Sequence, residues 1–345
     1  MKDYSNKLKM LNERYNPTNN VAVEQRFLSD LYSIDKDTVK YVMSAMKAVD
    51  AEYTQRTIEA GDNTKNYLKC VLSNVEFEYQ GSVMTDTHIR GVSDIDLLTI
   101  CTIYEGTEIQ KVKNELQNNE WKYTYEERQR LLRFKNAFNP YNGDTAEDLK
   151  NLRLQCEQAL LKRYTECDIS KPKSIKIKNL HLNRDVDVVV ASKQKSFDFV
   201  RYGDMKEYLG IQIYNKETNC EEKVDYPFLS IARINRRSAE TNGRLKRMIR
   251  FLKNIKADAD CEINLSSFDI NALCYYIPSA EYSSLDSISL VYLLWNKMYN
   301  YLQNNTYNDI KAVNDTEYIF RYNQEKVEAL KKLENEVWQV YNDLK

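Results

Sequence analysis

Residues 77 to 101 constrain this chain more than any other stretch: Phe77-Glu-Tyr-Gln-Gly-Ser-Val-Met-Thr-Asp-Thr-His-Ile-Arg-Gly-Val-Ser-Asp-Ile-Asp-Leu-Leu-Thr-Ile-Cys101. Two runs read as strands, Val75 to Tyr79 and Ile95 to Cys101, joined by a small-residue turn at Gly81-Ser82 and a polar loop. Asp94 and Asp96 stand at the mouth of the second strand. Residues two apart on a strand face the same side, about 6.6 Å along it, so both carboxylates can converge on a metal ion. Oxygen donors of that kind suit hard divalent cations. Gly81 lets the backbone approach a phosphate closely, and the Ser82 hydroxyl with neighbouring N–H groups can bind its oxygens.

A later segment repeats the theme. Asn183-Arg-Asp-Val-Asp-Val-Val-Val-Ala191 has the β-branched density of a buried strand, interrupted by Asp185 and Asp187 on one face. Burying unpaired carboxylates is costly, so a cation is expected to meet them. Spacing alone leaves Asp185 and Asp187 as equal candidates for a third ligand. Taken singly, these features are turn residues and solvated strand ends; their order, each at a strand end, is what points to an enzyme.

The rest of the sequence sets the frame. At 345 residues the chain can bury a sizeable core and divides into two lobes. Its 50 basic and 51 acidic residues nearly cancel, which argues against a general nucleic-acid coat protein. Seven cysteines without a Cys-x-x-Cys pair suit buried thiols in a reducing compartment. With His88 and His181 the only histidines, a structural zinc site is not expected. Met1-Lys-Asp-Tyr-Ser-Asn lacks the apolar run of a signal peptide, and no stretch approaches about 18 apolar residues, so the expectation is a cytoplasmic protein without a membrane span.

Along the chain, residues 1 to 34 read as a polar leader with a short helix around Val23 to Tyr32. Helical spacing from Asp37 continues through Ile58 towards Leu72, with an interruption expected near Gly61, giving a long N-terminal helix able to brace two lobes. A helical insertion occupies about 103 to 170, with helices at 126 to 138 and, opened by the capping-box pattern Asp144-Thr-Ala-Glu147, at 145 to 167. Ile175 to Lys178 and Asp185 to Val190 form a hairpin, and Ile211 to Tyr214 a further strand. From Pro227 the pattern is helical, with helices at 244–255, 269–277, 285–302 and 325–344. Lys246, Arg250 and Lys253 stack along one side of the first, as a solvated face or as a cationic stripe for a ligand. One of the 26 tyrosines, near Tyr275, Tyr276 or Tyr282, could stack on a base, although core packing is the more ordinary role.

Gly-Ser, eleven residues, Asp-Ile-Asp and a later acidic strand together resemble the nucleotidyltransferase superfamily of DNA polymerase β. Three further segments narrow this, being similar to the second lobe of the cGAS and DncV-like nucleotidyltransferases: Tyr226 to Arg237, Asn242 to Lys256 and Ser266 to Tyr276. The resemblance implies an α+β fold, a polymerase β-type mixed sheet with flanking helices in residues 1–228 and a helical nucleotide-binding lobe in 229–345. It implies template-independent synthesis of a cyclic di- or trinucleotide from nucleoside triphosphates, with release of pyrophosphate, in bacterial anti-phage signalling.

By the same resemblance Asp94, Asp96 and Asp187 are the metal triad for two Mg²⁺ (or Mn²⁺) ions. Gly81 and Ser82 form the triphosphate loop, and Lys253 and Ser267 contact the triphosphate from the helical lobe. Regulatory or effector proteins of a defence operon are implied partners. Double-stranded DNA is not an expected activator, because the zinc-binding insertion of animal cGAS has no counterpart. Two competing readings stay open: a related transferase acting on an RNA end, a protein or a small molecule, and a catalytically silent binding or antitoxin module. An RNA substrate calls for a long basic groove, which a neutral chain supplies poorly. A silent relative would be free to lose its acids, and here every acidic position is filled.

Overall fold

A computed structural model describes residues 3–15, 36–92 and 94–345; the helix expected around Val23 to Tyr32 lies outside them. The helices, in chain order, are α1 (Tyr4–Tyr15), α2 (Asp37–Met46), α3 (Ala51–Val71), α4 (Ile109–Asn118), α5 (Tyr125–Ala137), α6 (Thr145–Arg163), α7 (Phe197–Arg201), α8 (Pro227–Glu240), α9 (Arg244–Ala257), α10 (Ser267–Tyr276), α11 (Ser287–Gln303) and α12 (Gln324–Leu344). The strands are β1 (Val75–Gln80), β2 (Ile95–Cys101), β3 (Gly106–Thr107), β4 (Cys167–Asp168), β5 (Ile175–Asn179), β6 (Arg184–Lys195), β7 (Leu209–Asn215) and β8 (Cys220–Glu221).

The chain forms two compact units. One holds residues 51–84 and 94–232; the other holds the described residues of 1–50, 85–93 and 233–345. Where a single division after residue 228 is expected, the first 50 residues and the loop ahead of Asp94 therefore group with the C-terminal helices. The helical spacing from Asp37 to Leu72 also resolves into two helices, broken at 47–50 and not near Gly61. Gly61 is absorbed into α3 because the Tyr79 ring lies 2.9 Å from where its Cβ would be, so the missing side chain is replaced by close packing.

In the first unit β2 and β6 run parallel at the centre of an eight-stranded mixed sheet in the order β1-β2-β6-β5-β4, with β3 and β7 beside the far end of β6. The two central strands are buried on both faces over residues 97–101 and 188–192, where apolar residues predominate, as in strands covered on both sides. One face buries Ile95, Leu97, Val186, Val188 and Val190 with Leu68 of α3 and Leu149 and Cys156 of α6. The other buries Leu98, Ile100, Val189 and Ala191 with Val112 of α4, Leu131 of α5 and Phe197 of α7. The insertion helices thus clothe the sheet from both sides. Asp144 opens α6 by accepting from the Ala146 and Glu147 N–H groups, and α5 opens with a reciprocal Thr124–Glu127 capping box.

In the second unit the apolar face of α9, Leu245, Met248, Ile249, Leu252 and Ile255, is buried in one core with Tyr41, Val42 and Ala45 of α2 and with residues of α10, α11 and α12. Ser266 and Asp269 form the capping box that starts α10.

Candidate active site

Two of the acidic residues stand side by side in one row across the sheet. Gln80 of β1 stands opposite Asp96 of β2, Asp96 opposite Asp187 of β6, and Asp187 opposite Lys176 of β5. Side chains at paired positions share a face, and so do those two residues along; Asp94 and Asp185 therefore stand on the same side, one pleat further out. Leu98 and Val189, two residues inward, belong to the core under α4, α5 and α7. The row begins where that apolar cover ends.

Two lysines meet the carboxylates. Lys176 Nζ donates to Asp94 Oδ2 at 2.7 Å and lies 3.0 Å from Asp185 Oδ2, while Lys171 Nζ is 3.7 Å from Asp187 Oδ1. The Ser174 hydroxyl makes a long contact of 3.5 Å with Asp187 Oδ1. Burial pushes the Asp187 carboxyl above the usual range, Asp94 adds to the push, and Lys171 and Lys176 oppose it. The Lys176 ammonium is held above its ordinary value by Asp94 and Asp185, against the desolvation that lowers it. The Asp187 carboxylate, at 18%, is less exposed than those of Asp94, at 26%, and Asp185, at 30%.

Gly81 follows β1 directly with φ +86°, a left-handed conformation that favours glycine, and a Cβ there would overlap Asp96 Oδ2. What crowds this glycine is thus the Asp96 carboxylate. Ser82 comes next and opens the turn over 82–86.

Among the described residues no three His, Cys, Asp or Glu side chains already stand as a closed metal cluster. Asp94 is drawn to Lys176, and Asp96 lies against Gly81. The donor set nevertheless fits a hard divalent cation: four carboxylates on one face, and a desolvated Asp187 whose charge a cation would offset.

The basic stripe of α9 is not a solvated face. Arg250 and Lys253 are 6% and 5% exposed. Arg250 Nε donates to the Met46 carbonyl at 3.0 Å and Nη1 to the Asp86 carbonyl at 2.6 Å; Lys253 Nζ donates to the Thr87 carbonyl at 3.0 Å. Both cations hold the loop that precedes Asp94, in which Thr85, Thr87, His88 and Ile89 are all buried. Burial lowers the His88 imidazole from its ordinary 6.5 to about 4, with Lys253 and Arg250 adding to the shift and Asp86 opposing it. Ser267 is exposed at the first position of α10. Asp94, Asp96, Asp187, Gly81 and Ser82 thus fall in the sheet unit, whereas Lys253 and Ser267 fall in the helical one. Tyr275 carries the Arg237 guanidinium over its ring at 4.0 Å, and Tyr282 is fully buried, so these two pack within the protein.

Lys176 and Lys171 do not stand out in the sequence. The signal for Lys176 is arithmetic: the hairpin pairs residues whose numbers sum to a constant, placing Lys176 opposite Asp187 as soon as Lys178 is set opposite Asp185.

The model of the cGAS/DncV-like nucleotidyltransferase C-terminal helical domain matches residues 232–342. A c-di-GMP synthase of Lachnospiraceae bacterium (strain RUG226) is 49% identical over 342 residues, 99% of each chain. The chain belongs to the cGAS/DncV-like nucleotidyltransferase family. Two solved members of that family agree along the whole fold. The STING-associated CdnE c-di-GMP synthase from Capnocytophaga granulosa matches with a TM-score of 0.81 at 41% identity, covering 99% of both chains. The STING-associated CdnE c-di-GMP synthase from Flavobacteriaceae sp. gives 0.85 at 36% identity, covering 100% of this chain and 99% of its own. The α+β fold and the nucleotidyltransferase assignment expected from the sequence hold. No described helix is long and apolar enough to cross a membrane.

Proposed function

We propose that this cGAS/DncV-like nucleotidyltransferase joins two molecules of GTP into c-di-GMP. The observation that carries the reading is similarity over 99% of its length to a c-di-GMP synthase, in a chain that pairs Asp96 with Asp187 across its two central strands. In each of two condensations a ribose 3′ oxygen forms a bond to an α-phosphorus, the bond to the bridging oxygen breaks, pyrophosphate leaves and the hydroxyl proton passes to solvent or base. Asp94, Asp96 and Asp187 would hold divalent ions, Asp187 being preferred to Asp185 because it is paired with Asp96 across the central strands and is the more desolvated. Bound Mg²⁺ supplies activation of the hydroxyl and neutralisation of the triphosphate.

Gly81 keeps the backbone clear of Asp96, and Ser82 with its neighbouring N–H groups would bind the phosphates. Lys176, now bridging Asp94 and Asp185, is a source of positive charge beside the row. Lys253 and Ser267 are proposed to reach the triphosphate in the loaded enzyme; Lys253 would first have to leave the Thr87 carbonyl. The similarity to STING-associated synthases supports a STING-type receptor as the effector that reads the product, and hence a cytoplasmic role in anti-phage defence.

Purified protein incubated with each labelled nucleoside triphosphate, singly and mixed, with Mg²⁺ or Mn²⁺, tests the proposal. A phosphatase-resistant product from GTP alone, cleaved to GMP by a 3′-5′ phosphodiesterase, is expected. A mixed-base or linear product as the main species overturns the assignment of product, and absence of product from every triphosphate mixture supports the silent module instead.

A further inference from the structure

A cavity of about 790 Å³ opens at the opposite end of the sheet from the acidic row. It lies where β2 runs out at Cys101, and five strand residues, about 17 Å, separate that point from Asp96. Its volume is within the range of small-molecule sites. One side is the segment after β2, including Ile103 and Tyr104, and the other is the loop between α5 and α6, with Asn139, Tyr141 and Asn142.

The aromatic wall is held in place. Tyr104 and Tyr141 are stacked, with centroids 5.5 Å apart and planes 22° from parallel. The Tyr104 hydroxyl donates to Glu221 Oε1 at 2.9 Å and the Tyr141 hydroxyl to Asp148 Oδ2 at 2.6 Å, so each ring is tied at its far end. Tyr104 is 7% exposed, whereas Tyr141 is 42% exposed. Asn139 and Asn142 add amide groups that can both donate and accept. Lys195 also lines the cavity, but it is ion-paired with Glu105, another lining residue, so the site offers no net charge to a phosphate chain.

From this combination we infer that the cavity is a second binding site, for an uncharged planar heterocycle of nucleobase size. Tyr141 supplies the stacking surface, which accepts any π-face. The two asparagines supply the edge-reading groups, as purines with amide-type edges require. The balanced Glu105–Lys195 pair selects a nucleoside or free base over a nucleotide. This lies outside the proposed synthesis, since a nucleoside carries no triphosphate to react.

Guanosine and adenosine are the probes, titrated calorimetrically into the full chain with a non-hydrolysable GTP analogue present to fill the acidic site. One equivalent is expected to bind. Tyr141→Ala should weaken binding at least about tenfold, as loss of a stacked base does, and Tyr141→Phe should retain it. Hydrogen exchange of the unmodified protein gives a second reading that does not depend on how the variants fold: either nucleoside should slow exchange in 102–107 and 138–142. No binding at millimolar nucleoside, binding indifferent to Tyr141→Ala, or protection confined to residues around Asp94 and Asp187 would overturn the inference.

Discussion

Gly81→Ala separates two costs that usually come together. At φ +86° an L-residue pays left-handed backbone strain of about 1 to 2 kcal/mol. The new methyl would also sit 3.4 Å from Asp96 Cγ and inside contact distance of Oδ2, so the carboxylate must move. Gly243 provides the control, because its φ is +80° and nothing lies within 4 Å of its missing Cβ. Gly243→Ala should lose only the strain, about 1 to 2 kcal/mol in a urea titration, and leave pyrophosphate release at the parental rate. Gly81→Ala should lose about 1 to 3 kcal/mol of stability, but its rate should fall about 100-fold, the effect of misplacing a reacting group by about 1 Å. The assay is pyrophosphate release from GTP at a temperature where both variants are folded. If Gly81→Ala keeps the parental rate, or if both variants lose activity in proportion to stability, Gly81 does not position Asp96.

Four further outcomes are expected. Asp94→Asn combined with Asp96→Asn should abolish product while leaving the melting temperature unchanged or raised, since relief of carboxylate repulsion on that face offsets the loss of the part-exposed Lys176–Asp94 ion pair, and Lys176 keeps Asp185; a folded double variant with parental turnover contradicts the triad. Asp187→Asn should remove activity and Asp185→Asn only reduce it, and the reverse ranking in the same assay transfers the ligand to Asp185. Lys253→Met should lower stability by about 1 to 3 kcal/mol because the Thr87 carbonyl loses its donor, whereas Lys246→Ala should change it little; a Lys253 variant that is altered in KM for GTP but not in melting would be a nucleotide contact alone. His88 is neutral in the fold, with its imidazole lowered to about 4, so its contribution is complete above about pH 6.5 and is lost as pH falls towards 4, to a limit of about 3 kcal/mol. His88→Gln should flatten that part of the stability profile measured by urea midpoint, and an unchanged slope would assign it to other groups.

Much of the sheet can be read directly from residue pattern. The run Ile95–Cys101 coincides with the observed strand, and the Asp185–Val190 run lies within β6, because apolar density closed by acids is a strong local signal. The acidic residues are legible for the same reason: they break a pattern that otherwise demands burial. Position 61 is not legible, because whether a glycine ends a helix depends on Tyr79, which is distant in sequence and supplies the packing. The fate of the α9 stripe is hidden for a similar reason. Lys253 and Arg250 look like surface charges until the carbonyls of Thr87, Asp86 and Met46 are brought to them, and backbone acceptors leave no mark on residue type. Between Asp185 and Asp187 the sequence is neutral, and only strand register puts one of them beside Asp96.

The grouping of α2 with the C-terminal helices has a consequence for synthesis on the ribosome. Arg250 donates to the carbonyl of Met46, 204 residues earlier, and Tyr41, Val42 and Ala45 complete their core with side chains from α9 onward. At about 5 to 20 residues per second, the apolar face of α2 waits about 10 to 40 s for its partner after it emerges. The sheet unit lies within 51–232, so all of its residues are made in that interval, before those that complete the core around α2. Synthesis of the last helices is therefore also the step that folds the first ones, and a chain released before α9 leaves that face for chaperones to cover.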